Sequence, residues 1–230
     1  MPINLETSSR RDFVAGLGSI AVVAPLGLHL PHVGAPQADR SARPALTGDW
    51  DLSWTRRLEA ATDRAVFDWP TMGDPADSIV LQLAQRYLDN CNAVYGSGSR
   101  VGVVLNIRTT ATSAALTDAT WDRFSLGAEY KVVDPETTQP ARRNPFLRRA
   151  TGAPAGTPDL AELMQRGAIL LACDFALGHL AKRFATRLGR ETDAVHGELR
   201  AGLLPGCFLV PSGIFGLARA QNAGCALVRV

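Results

Sequence analysis

Cysteine and histidine are both scarce in this 230-residue chain, with four of each. That is too few cysteines for a disulfide scaffold, and none stands in a C-x-x-C pair. His29 and His32 fall in the N-terminal segment, so only His179 and His196 remain for the rest of the chain, which excludes a His-rich metal site. Charge of one sign is lacking too. A formal net charge of +2 gives no reason to expect binding to nucleic acid or to an anionic membrane surface. No P-loop, G-x-G-x-x-G fingerprint, G-x-S-x-G elbow, H-E-x-x-H pair or EF-hand loop occurs, and no cofactor or metal is expected. No long internal repeat is seen. What is present is ordinary for a folded protein, with 46% apolar and 20% charged residues. The length suffices for one or two domains with a proper core.

The N-terminus carries a strong local signal. Ser9-Arg10-Arg11-Asp12-Phe13-Val14 looks like a twin-arginine export motif, with Arg10 and Arg11 as its paired arginines. A mildly apolar run from Val14 to Leu30 follows, broken by Gly16, Gly18, Pro25 and Gly27. Those breaks weaken it as a membrane helix and suit an export h-region. Residues 1–38 are therefore expected to be a signal peptide that engages the twin-arginine translocase, leaving the mature protein in the periplasm. An uncleaved membrane anchor is the alternative. Residues 39–63, rich in Pro, Arg and Ala and carrying Trp50 and Trp54, read as an extended arm that docks at its aromatic side chains.

Beyond the arm, short apolar runs alternate with helical patterns. Strands are expected at Arg64–Asp68, Val101–Ile107, Gly167–Cys173, Cys207–Val210 and Cys225–Val228. Helical spacing marks Ile79 to Val94, with Asp77 or Ser78 as cap, and Ala111 to Phe124. A short helix is expected around Leu160 and Met164, followed by two running to Leu188 and from Glu191 to Leu203, and one from Ile214 to Gln221. The expectation is a three-layer α/β/α fold with an open, mostly parallel sheet of about five strands, occupying residues 64–230. One stretch breaks the rhythm. Residues 125–158 contain five prolines and the pairs Arg142-Arg143 and Arg148-Arg149, and read either as a lid or oligomer arm whose arginines meet an anion, or as a solvated insertion.

Cys173 is the residue on which a functional reading turns. It ends an apolar run and starts a helix, so it belongs at the carboxyl edge of the sheet, where ligands bind in open α/β folds. A thiol there is either a reactive group favoured by the helix N-terminus or a small buried plug. Arg108-Thr109-Thr110, Cys173-Asp174 and Pro211-Ser212-Gly213 should converge at that edge. Ser212 either simply caps its helix or leaves backbone N–H groups, with Gly213, for an anion. His179 lies six residues after Cys173, on a different helical face, so the two do not form a catalytic pair. Cys207 and Cys225 begin the last two strands. They are either neighbours able to oxidise after export or unpaired core thiols.

The segment from Leu203-Leu204-Pro205-Gly206-Cys207 through Pro211-Ser212-Gly213 to Gln221-Asn222-Ala223-Gly224-Cys225 resembles the C-terminal signature of DsrE/DsrF-like proteins. Ala172-Cys173 is similar to that family's cysteine position. The resemblance covers residues 64–230 apart from 125–158. It implies a three-layer α/β/α, flavodoxin-like domain that assembles as trimers or hexamers. It also implies a persulfide on Cys173, received from or passed to another protein. Arg108, Thr109, Asp174, Ser212 and Gly213, from the three connections expected to converge at the carboxyl edge, are the candidate ligand contacts. The alternative is a non-catalytic binding or assembly subunit that keeps the fold for oligomerisation.

Overall fold

Apolar residues on both parities of the strand runs decide the architecture, because each strand must then be covered on both faces. The computed structural model describes residues 50–229 apart from 97, 98 and 135. The expected leader with Arg10 and Arg11, and the arm before residue 50, lie outside the described residues. In chain order the elements are α1 (Trp54–Glu59), β1 (Asp63–Trp69), α2 (Ile79–Tyr95), β2 (Val101–Ile107), α3 (Asp118–Phe124), α4 (Leu126–Tyr130) and α5 (Leu160–Gln165). There follow β3 (Ile169–Cys173), α6 (Asp174–Leu188), α7 (Thr192–Ala201), β4 (Phe208–Val210), α8 (Gly213–Asn222) and β5 (Ala226–Arg229). The five strands form one sheet in the order β4-β3-β2-β1-β5, every neighbouring pair parallel.

Strand alternation sorts the side chains into two cores. Phe67, Trp69, Leu105, Ile107, Leu170 and Ala172 face one side, where α2, α6 and α7 bring Leu81, Leu177, Phe184 and Leu199 against them. Val66, Val104, Ile169, Leu171 and Val210 face the other, beneath Trp54 and Leu58 of α1 and Ala220 of α8. The fold is thus an α/β protein with helices on both faces of a parallel sheet, as the three-layer expectation required. Part of the expected extended arm is helical: α1 docks Trp54 and Leu58 at full burial.

The structure departs from the sequence reading, or decides between its alternatives, in three places. The single helix expected over 111–124 is two pieces, a 3-10 segment over Thr109–Ala115 and α3. Between them Leu116 bridges to Leu203, and the Thr117 N–H donates to the Gly202 carbonyl at 2.8 Å, so the backbone is extended where a continuous helix would run. Secondly, Cys207 and Cys225 precede β4 and β5, the two opposite edges of the sheet. Three strands intervene, which at the usual strand spacing puts them roughly 19 Å apart, well beyond disulfide reach. All four cysteines are free.

Thirdly, residues 125–158 are not simply a solvated insertion, because part of the stretch belongs to the core. Leu126, Val132, Ala141 and Phe146 are buried in the main core. Phe146 meets Trp69 edge-on, with ring centroids 5.4 Å apart, and tilts against Trp121. Gly127 is required for this packing, since a Cβ there would lie 2.2 Å from the Ala141 carbonyl oxygen. Asn144 pins the segment by donating from Nδ2 to the carbonyls of Ala114 at 2.8 Å and Leu116 at 2.7 Å. Phe146→Ala should therefore cost about 3–5 kcal/mol of stability, like other buried aromatic truncations. Denaturant unfolding measures it; a loss below about 1 kcal/mol would detach this segment from the core.

Candidate functional site

Near their carboxyl ends two buried strands each carry a polar residue: Asp68 in β1 and Asn106 in β2. They are register partners, so their side chains leave the sheet on the same face. Asp68 and Asn106 share the parity of Val66 and Val104, which places them on the α8 side of the sheet. Cys173 shares the parity of Ile169 and Leu171 on β3 and so belongs to that side as well. Arg108, just past β2, completes the group. Its Nε donates to Asp68 Oδ1 and its Nη2 to Asp68 Oδ2, each at 2.8 Å. Asn106 Nδ2 adds a third hydrogen bond to Asp68 Oδ1 at 3.0 Å.

Burial alone would raise the Asp68 carboxyl. The hydrogen bonds from Arg108 and Asn106, with the positive charges of Arg108 and Arg229, outweigh it and hold the group below its ordinary value. The bond to Asp68 in turn raises Arg108, against some desolvation. Asn106 is fully buried, and its Oδ1 has no hydrogen-bond partner.

Helix α8 is shaped to fit over this cluster. A Cβ on Gly213 would lie 2.5 Å from Arg108 Cβ, and one on Gly216 would lie 2.9 Å from Asn106 Oδ1. Both glycines thus permit close approach of the helix backbone to polar side chains. Ser212 caps α8, its Oγ accepting from the Phe215 N–H at 3.2 Å. Cys173 plays the same part for α6. Its Sγ accepts from the Ala176 N–H at 3.4 Å, and the residue is 4% exposed. The two helix starts are tied by the Phe175 N–H donating to the Pro211 carbonyl at 3.1 Å.

Of the residues singled out in the sequence, Cys173, Arg108, Ser212 and Gly213 come together. Asp174 and Thr109 are engaged elsewhere. Both oxygens of Asp174 accept from Arg200 of α7, at 2.7 and 2.5 Å, and His196 Nε2 lies 2.9 Å from Oδ1. Thr109 has a left-handed backbone, and its hydroxyl donates to the Pro70 carbonyl. His179 does not pair with Cys173; its ring packs on Phe175, with centroids 4.6 Å apart. Asp68 and Asn106 were missed. The signal that could have found them is one polar residue near the carboxyl end of each of two buried strands. Burial pushes the Cys207 thiol up to about 12 and the Cys225 thiol up to about 11, away from nucleophilic use. Among the described residues no group of three or more His, Cys, Asp and Glu side chains is placed to hold a metal ion.

No family model matches this sequence, and no curated protein matches it. Among solved structures the chain is similar to MTH1491, a protein of unknown function from Methanobacterium thermoautotrophicum. The two are 19% identical over 73% of this chain and 99% of that one, with a TM-score of 0.37. The class of protein is set by the sheet order and its two helical layers: an all-parallel five-stranded α/β domain with its polar cluster at the carboxyl edge.

The Asp174 contacts predict a pH effect. Desolvation raises this carboxyl, but Arg200 and His196 more than offset it, so its folded value lies below the ordinary aspartate value. A depressed folded pKa gives stability that is complete above the unfolded value and lost as pH falls through the folded one. The melting temperature of the wild type should thus hold above pH of about 4 and decline below it. Asp174→Asn should lower the neutral-pH value and flatten the acid decline; an unaltered acid profile would remove Asp174 from the account.

Proposed function

We propose that this chain is an exported DsrE-like protein that accepts sulfur as a persulfide on Cys173. The observation that carries the reading is the position of Cys173, which caps the start of α6 and, by continuation of the β2–β3 register, lies next to Arg108. Backbone N–H groups at a helix start and a guanidinium can both donate hydrogen bonds to a persulfide sulfur. In the transfer, the Cys173 thiolate attacks the outer sulfur of a donor persulfide. A new S–S bond forms as the donor's own S–S bond breaks, and the donor sulfur leaves with the electron pair as a thiolate. The proton stays on the transferred sulfur, so no external oxidant or reductant is needed. The donor or acceptor is another protein, and the subunit works as a homo-oligomer, a trimer or hexamer, after passage through the twin-arginine translocase.

One observation favours a second reading. Cys173 is 4% exposed, and two nitrogens of Arg108 are already committed to Asp68. A sealed thiol beside a satisfied ion pair suits a non-catalytic assembly subunit that uses the fold for oligomerisation. Incubation with a low-molecular-weight persulfide, followed by intact mass, separates the two. Sulfur acceptance predicts a one-sulfur increment on the wild type that is absent from Cys173→Ser. No increment on the wild type, or the same increment on Cys173→Ser, contradicts it.

A further inference from the structure

Val133, Asp134, Glu136 and much of the stretch 143–158 line a cleft of about 540 Å³ that has no part in the Cys173 cluster. That size falls within the usual range for small-molecule sites. Its other wall comes from Pro75 and Ala76 in the β1–α2 connection, beyond the carboxyl end of β1. This is the edge of a parallel sheet at which ligands are accommodated.

The cleft has fixed walls. Asp134 Oδ1 accepts from the Glu136 and Thr137 N–H groups at 2.9 and 3.2 Å, shaping one side. Glu136 crosses to the other, accepting from the Thr151 N–H at 2.9 Å and from Arg143 at 3.3 Å. Asn144 is 4% exposed and anchors the intervening turn. Apolar surface lines the space, with Leu147, Pro154 and Pro158 joined by Val133, which is 53% exposed.

The charged side chains around the cleft are committed, with one exception. Arg143 pairs with Asp134 and Glu136, and Arg149 with Glu162. Asp74 and Asp118 accept backbone N–H groups from Ala76 and Asn144, each at 2.9 Å. Arg148 alone, among the charged lining residues, has neither a hydrogen bond nor an ion pair among the described residues. A guanidinium presents a planar fork of donors suited to a carboxylate. Next to an apolar wall it selects for a ligand that offers both properties.

We propose that this cleft binds a small organic carboxylate with an apolar body, its anionic end on Arg148 and its body against Leu147 and Val133. The site is independent of sulfur acceptance at Cys173. Isothermal titration calorimetry of the full chain with phenylbutyrate, phenylbutanol and inorganic phosphate tests it. Phenylbutyrate should bind the wild type, and the alcohol and phosphate should each bind at least about tenfold more weakly. A charge-assisted hydrogen bond accounts for a factor of that order. Arg148→Ala should weaken phenylbutyrate by about tenfold with an unchanged unfolding midpoint, since the side chain has no partner to lose. Arg148→Lys should restore part of the affinity. The proposal is overturned if phenylbutyrate fails to bind the wild type. Equal binding by Arg148→Ala, or equal binding of the alcohol or phosphate, overturns it as well.

Discussion

The bidentate pairing of Arg108 with Asp68 is the interaction around which the carboxyl edge is built. A parallel sheet buried on both faces has no interior place for charge, so polar side chains are confined to strand ends where partners are within reach. Asp68 is 6% exposed and is supported there by Arg108 and Asn106 together. Removing either donor would leave a carboxylate short of partners in a dry setting, which costs more than the bond itself contributes. The geometry of α8 follows from this cluster. Gly213 makes room for the Arg108 side chain and Gly216 for Asn106, so the helix can close over the polar group without a gap.

The same pairing determines what surrounds Cys173. With Arg108 fixed by Asp68, a cation stands beside the end of β3, where the backbone enters α6. Asp174, the next residue, is drawn the other way, into α7, by Arg200 and His196. Adjacent residues thus serve different ends. One faces the polar cluster under α8, and the other fastens two helices on the opposite layer. Those two helices make the most extensive helix–helix packing in the described chain, so the Asp174 contacts join a surface already secured by Leu177, Val195 and Leu199.

Much of this organisation was legible in the sequence because it is local. The strand Val101–Ile107 is a continuous apolar run, and its observed bounds are those expected. Pro211-Ser212-Gly213 announces a helix start through the chemistry of its hydroxyl, and Ser212 caps α8 accordingly. The hand-over from β3 to α6 at Cys173 follows from an apolar run meeting a helical period. What escaped depends on register and strand order. Asp68 and Asn106 become partners only when β1 and β2 align, 38 residues apart in sequence. Whether Cys207 and Cys225 are neighbours or unpaired thiols stayed open in the sequence, because only the strand order sends them to opposite edges. The Pro- and Arg-rich stretch hid its core residues because Leu126, Val132, Ala141 and Phe146 follow no helical or strand period.

A double-mutant cycle on Asp68→Asn and Arg108→Gln, read by denaturant unfolding at neutral pH, tests this arrangement most directly. If the pair organises the carboxyl edge, the two losses should be non-additive, with a coupling of about 1 kcal/mol or more. Additive losses within about 0.5 kcal/mol would mean that the two side chains act independently and would contradict the account.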